Sequence, residues 1–130
     1  MPRYLNPPTL PDTGGRYSQG VLHGRVAKRL IISGQVGRAP DGSIAEGLEA
    51  QTLQALDNVL AAVEAAEMKA ADIVKLTVFC TLPGMVAIVR EARVKKLGRH
   101  APASTYLQVA GLADPAYLIE IEGEAVREEV

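Results

Sequence analysis

The chain has 130 residues, a formal net charge of −1, 48% hydrophobic and 22% charged residues, and one cysteine. That length suits a single domain with a real core, and the composition excludes a disordered tail. The near-zero charge leaves no basic excess for nucleic acid or a membrane surface, and the lone Cys80 excludes an intrachain disulfide.

The opening, Met1-Pro2-Arg3-Tyr4-Leu5-Asn6-Pro7-Pro8, carries three prolines and no apolar stretch of the signal-peptide kind. No run approaches the roughly 20 apolar residues that span a bilayer. The expectation is a cytoplasmic protein. Residues 1–15 are rich in Pro, Gly and polar side chains and read as an extended arm or loop, because Pro disfavours helix at the preceding residue. Tyr17 to Leu22 reads as a first short strand, His23 to Lys28 as a hairpin connection, and Arg29 to Ser33 as a second strand bounded by Gly34. Pro40-Asp41-Gly42 is a turn, with Pro fixing φ and Gly permitting a positive φ.

A first helix is predicted from about Leu48 to Met68. Leu48, Thr52, Leu56, Val59, Leu60 and Val63 form its apolar stripe, and Glu49, Gln54, Asp57, Asn58 and Glu64 lie on the other face. Ile73 to Cys80 reads as a third strand, ending on Cys80 as a small buried hydrophobe. Pro83-Gly84 opens a second helix running to about Leu97. Met85, Ile88, Val89 and Ala92 cover one face, while Arg90, Arg93, Lys95 and Lys96 form a solvated basic face suited to the helix C-terminus. Gly98 then stops the helix.

Two closing strands follow, about Ser104–Val109 and Tyr117–Val126, joined by Gly111-Leu112-Ala113-Asp114-Pro115. The order is ββαβαββ, an α+β domain with two helices on one face of a mixed sheet. In Leu118-Ile119-Glu120-Ile121-Glu122 the carboxylates repeat at period 2 and share one face. The isoleucines take the helix side, so the glutamates face water, a partner or a pocket. A bare sheet face of this size predicts a closed oligomer. His23 and His100 fall in separate loops without Cys or acidic partners at ligand spacing, so no metal site is expected. Gly34, Gly37, Gly42 and Gly47 do not match a phosphate loop.

Four segments together resemble the Rid (YjgF) family of enamine/imine deaminases. They are Tyr17-Ser18-Gln19-Gly20; Leu30-Ile31-Ile32-Ser33-Gly34-Gln35; Gln51 through Asp57-Asn58-Val59 with Asp72-Ile73-Val74-Lys75-Leu76-Thr77-Val78-Phe79; and Pro102-Ala103 with Ile119-Glu120-Ile121-Glu122. Order and spacing hold over nearly the whole chain, which is then a single Rid-like domain, 1–130. The resemblance implies a chorismate-mutase-like fold and a homotrimer with a central barrel. It also implies small-molecule sites in the clefts between subunits, and hydrolysis of enamines and imines such as 2-aminoacrylate to 2-keto acids and ammonia, without a cofactor.

Carried over position by position, the resemblance makes Glu120 the residue that holds or activates water and Tyr17 its catalytic companion. Ser33 and Gly34 line the site. The family's deaminases read Pro-Ala-Arg-Ser, with the Arg gripping the substrate carboxylate, where this chain reads Pro102-Ala103-Ser104-Thr105. Where the family has an Asn facing the site from the second helix, this chain has Arg90. A serine gives one hydrogen bond of about 1 kcal/mol, against roughly 1.5–3 kcal/mol for a charged one. Three readings stay open. Arg90 supplies the missing charge; or the ligand is less anionic, with Tyr106 as an aromatic wall and Glu120 keeping the water; or the protein binds a small metabolite without catalysis.

Overall fold

The computed structural model describes residues 1–130 as one sheet-and-helix unit with an N-terminal arm. The arm contributes β1 (Arg3–Leu5), which pairs antiparallel with β2 (Gly20–Leu22). The main sheet holds β3 (Val26–Val36), β4 (Ile73–Cys80), β5 (Ala103–Gln108) and β6 (Ile119–Glu128), in the spatial order β3-β6-β4-β5. β4 and β5 are parallel and the other pairs antiparallel, so the sheet is mixed. Helices α1 (Leu48–Ala65) and α2 (Val86–Leu97) cover one face.

Two early expectations are corrected. The segment before His23 forms no hairpin with the strand after it: β2 pairs with β1, and β3 pairs with β6. The proline-rich arm thus supplies a strand, because its short Arg3–Leu5 stretch lies before the first consecutive prolines. Nor does β3 end at Ser33. It continues to Val36 through a bulge, where Ser33 and Gly34 fall between the pairs Ile32↔Gly123 and Gln35↔Ile121.

The core follows the period-2 pattern. On β4, Leu76, Val78 and Cys80 are buried under the helices, while Lys75, Thr77 and Phe79 point to the other side. Ile119 and Ile121 of β6 join them, at 0% and 1% exposure. Leu56, Val59 and Val63 of α1 close the layer. Each such side chain contributes about 1.5–3 kcal/mol of burial. Glu120, Glu122 and Glu124 lie on the opposite, helix-free face.

Both helices are shorter than their sequence patterns. α1 stops at Ala65 rather than Met68 because Glu67 takes a left-handed φ of 57°. The Met68 N–H then reaches the Val63 carbonyl at 3.1 Å and the Glu67 N–H reaches that of Glu64 at 2.9 Å, the paired bonds of a Schellman ending. α2 begins at Val86, since Pro83-Gly84 forms a turn with Gly84 at φ 70°. Polar residues of α1 also do structural work. Buried Gln51 donates to the carbonyls of Ala45 and Ala116 and accepts from the Leu118 N–H, which ties the segment before β6 to the helix.

Candidate functional site

A cavity of about 770 Å³ lies between α2, the edge strand β5 and the loop of residues 12–17. Its floor is Val78, Ser104 and Tyr106. Ser104 and Tyr106 pair in register with Leu76 and Val78, so both side chains rise on the helix side of the sheet. The loop wall is held by Ser18, whose hydroxyl donates to Ala101 O at 2.6 Å and whose N–H bonds to Pro102 O at 3.1 Å. That clasp brings Tyr17 into the cavity wall. The α2 wall presents Arg90 and Arg93, three residues apart and so on one helix face, between Val86, Val89 and Val94.

Arg93 was expected among solvated cations; the structure places it otherwise. Its Nη1 donates to Ser104 Oγ at 2.8 Å, and its Nη2 is buried with no hydrogen-bond partner. No carboxylate pairs with it. Burial lowers its pKa, with no neighbouring charge to offset the effect. Lys95 and Lys96, on the far side of α2, do find partners: Glu49 at 2.9 Å and Asp57 at 2.8 Å, both on α1. The cations are spread over both sides of the helix, but those on its cavity side are left without counter-charges.

Tyr106 is half-buried, and its hydroxyl is buried without a hydrogen-bond partner. Burial, helped by the adjoining Cys80 thiol, pushes its pKa well above the ordinary tyrosine value. It is a neutral aromatic wall at physiological pH. His100 lines the rim and is held by structure: its Nε2 lies 2.7 Å from Ile73 O, which accepts the proton, and its ring meets Tyr4 edge-on at 5.5 Å.

The remaining sequence-predicted residues sit elsewhere. Glu120 pairs with Phe79 and points to the helix-free face. Its carboxylate packs over Gly34, where any Cβ would collide with it. Ser33 is exposed on the adjoining bulge. One chain therefore gathers Tyr17, Arg90, Ser104 and Tyr106 around one cavity, and Ser33, Gly34 and Glu120 on the other side of the sheet. Arg93 is the residue that sequence reasoning misplaced. Its spacing from Arg90 was visible, but its bond to Ser104 depends on how α2 crosses β5. No group of three or more His, Cys, Asp or Glu side chains converges to hold a metal ion, and no helix is long and apolar enough to cross a membrane.

The family model described as Endoribonuclease L-PSP matches residues 8–127. The chain belongs to that family, the Rid (YjgF) family. Rid-family relatives match it over most of its length. A 2-iminobutanoate/2-iminopropanoate deaminase of Salmonella typhimurium is 41% identical over 121 residues, 90% of this chain and 91% of the relative. The structure of a conserved Rid-family protein from Yersinia pestis superimposes with a TM-score of 0.86 at 29% identity, covering 96% of this chain and 98% of that one. Escherichia coli TdcF, solved with bound serine, gives a TM-score of 0.72 at 35% identity, over 86% of this chain and 88% of that one. The two-helix, mixed-sheet fold is the Rid fold.

Proposed function

We propose that this Rid-family protein binds a small 2-imino acid and hydrolyses its C=N bond, with Arg93 supplying the carboxylate-binding charge. The observation that carries this is the bond from Arg93 Nη1 to Ser104 Oγ with Nη2 buried and without a partner. Ser104 stands where the family places its Arg. Here the guanidinium comes from α2 instead and is fixed over the same position by the serine hydroxyl. A buried, unpaired guanidinium is costly, and a ligand carboxylate removes that cost. The charge that one of the three open sequence readings gave to Arg90 is assigned instead to its neighbour one turn on.

In the reaction, water adds to the imine carbon, the carbinolamine loses its nitrogen, and the protonated imine plus water becomes a 2-keto acid plus ammonium. Arg93 and Ser104 orient the carboxylate, and Tyr17 and Tyr106 wall the substrate. Glu120 holds the attacking water and moves its proton. Because Glu120 and Ser104 lie on opposite faces of one sheet, the complete site is formed between copies: one contributes the Arg93 cavity, the next contributes Glu120, Ser33 and Gly34. A homotrimer with intersubunit sites meets that requirement. Exposed Ile31 and Leu107, at 66% and 45%, lie on the strands it would cover.

The same placement of Glu120 favours a second reading, a non-catalytic small-molecule binder whose site is the cavity alone. One assay decides. 2-Aminoacrylate is generated in situ and its hydrolysis followed with wild type, Arg93→Gln and Glu120→Gln. Acceleration by wild type, with losses of about 100-fold or more in both variants, supports the deaminase. No acceleration by wild type, with ligand binding that still depends on Arg93, supports the binder.

A further inference from the structure

We infer that the ligand of this cavity carries a second anionic group, a carboxylate or phosphate, bound by Arg90; this rests on the reading that Arg93 holds the first. Of the chain's nine arginines, four (Arg16, Arg90, Arg93 and Arg99) line this one cavity. None of the four makes an ion pair. The only acidic residue in the wall is Asp12, and its carboxylate is already accepting from the Gly14 N–H at 2.9 Å.

Part of this charge has a local explanation. Arg99 follows the C-terminus of α2, where the helix dipole favours a cation. Arg90 has no such explanation. It lies mid-helix, half-buried, one turn from Arg93 on the same face, and like charges at that spacing repel. The cations on the opposite side of α2 are neutralised by α1, so the fold can pair this helix's charges and does not do so here. Two adjacent unpaired guanidiniums in a concave, partly apolar wall concentrate a field that one carboxylate only half satisfies. A cavity of about 770 Å³ is also in the range of ligands well above the size of a four-carbon 2-imino acid. A dicarboxylic or phosphorylated 2-imino acid fits both the charge and the space.

The test uses full-length protein and calorimetric titration with stable oxo- and hydroxy-acid probes: 2-oxobutanoate with one anionic group, 2-oxoglutarate with two carboxylates, and 3-phosphoglycerate with a carboxylate and a phosphate. The expected result is that at least one dianion binds about tenfold or more tightly than 2-oxobutanoate. The better of the two identifies the second group. Arg90→Gln collapses that preference to about twofold or less, and Arg90→Lys, which keeps the charge and guards against a folding artefact, retains most of it. Equal affinities for mono- and dianions in wild type overturn the inference, as does a preference untouched by Arg90→Gln. Loss of 2-oxobutanoate binding in Arg93→Gln tests the underlying reading separately. If that loss occurs without any dianion preference, the Arg93 reading stands and only the second group is wrong.

Discussion

Arg93 on α2 donates a 2.8 Å hydrogen bond to Ser104 on β5, the serine that occupies the family's arginine position. Helix and strand are thus tied together at one point of the cavity wall. The pairing is economical in geometry. From the cavity floor, the Ser104 hydroxyl fixes one Nη of a long, flexible arginine and leaves the other buried without a partner. A guanidinium held at one nitrogen loses less rotamer freedom when it grips a carboxylate.

This arrangement predicts the outcome of restoring the family residue. Ser104→Arg sets a second guanidinium against Arg93 in a half-buried site, so it destabilises the fold by about 1–3 kcal/mol and does not raise activity. The double variant Ser104→Arg/Arg93→Ser exchanges the two groups and recovers most of both losses. Urea unfolding with imine hydrolysis across the four proteins gives the coupling. Additive effects of the two changes would show that the 2.8 Å contact carries no energy.

Gly34 is required by space. A Cβ there would overlap the carboxylate of Glu120, so Gly34→Ala displaces that side chain while the Arg93 cavity, on the other side of the sheet, keeps its shape. The variant should lose about tenfold or more in kcat, with little change in carboxylate-ligand affinity. A comparable loss in affinity and in kcat would place Glu120 within the cavity's own binding machinery.

The C-terminus of α1 stores backbone strain at Glu67, whose φ of 57° suits glycine. Its side chain is 90% exposed and lies 3.9 Å from Lys28, an ion pair worth little. Glu67→Gly is therefore expected to stabilise the protein by about 1 kcal/mol and to leave activity unchanged. A chemical denaturation midpoint at or below that of wild type would contradict it.

Asp72 supplies a pH dependence. Desolvation pushes its pKa up, but the Lys69 N–H at 2.8 Å and the Arg127 guanidinium at 2.7 Å outweigh that and hold it below the ordinary 3.8. A carboxylate with a depressed folded-state pKa stabilises the fold above its unfolded value, and this stabilisation is lost as pH falls through the folded one. Asp72→Asn should thus lower stability at pH 7 by about 1 kcal/mol or less. The gap from wild type should close as pH drops below 3.8. Thermal unfolding between pH 7 and pH 2.5 reads the effect, and a gap constant with pH would mean that the charge of Asp72 is irrelevant.

How much of this was legible in the chain depended on the range of the interaction. The period-2 burial of β4 and β6, the apolar stripe of α1, the stop at Gly98 and the split of Ile119 and Ile121 from Glu120 and Glu122 all follow from local alternation and turn chemistry, and all could be read in order along the sequence. So could Ser104 as the departure from the family's Pro-Ala-Arg, because a motif is a local object. The end of α1 was missed because Glu67 adopts a conformation its type rarely takes, held by the Met68 and Glu67 N–H bonds back to Val63 and Glu64 and by long-range bonds from Arg127 and Lys28 to the Glu67 and Ala66 carbonyls. The pairing of β2 with β1 rather than β3 was missed because an edge strand's partner depends on where the arm folds.

The site divides in the same way. Sequence by itself determined the family, the two-layer fold and the list of chemically capable residues. Tertiary structure decided which arginine meets Ser104: Arg90 and Arg93 look alike in a basic helix, and only the crossing of α2 over β5 sets the Arg93 guanidinium against Ser104. It also decided that Glu120 faces away from that cavity, since a β-strand can present alternate side chains only to opposite sides of its sheet.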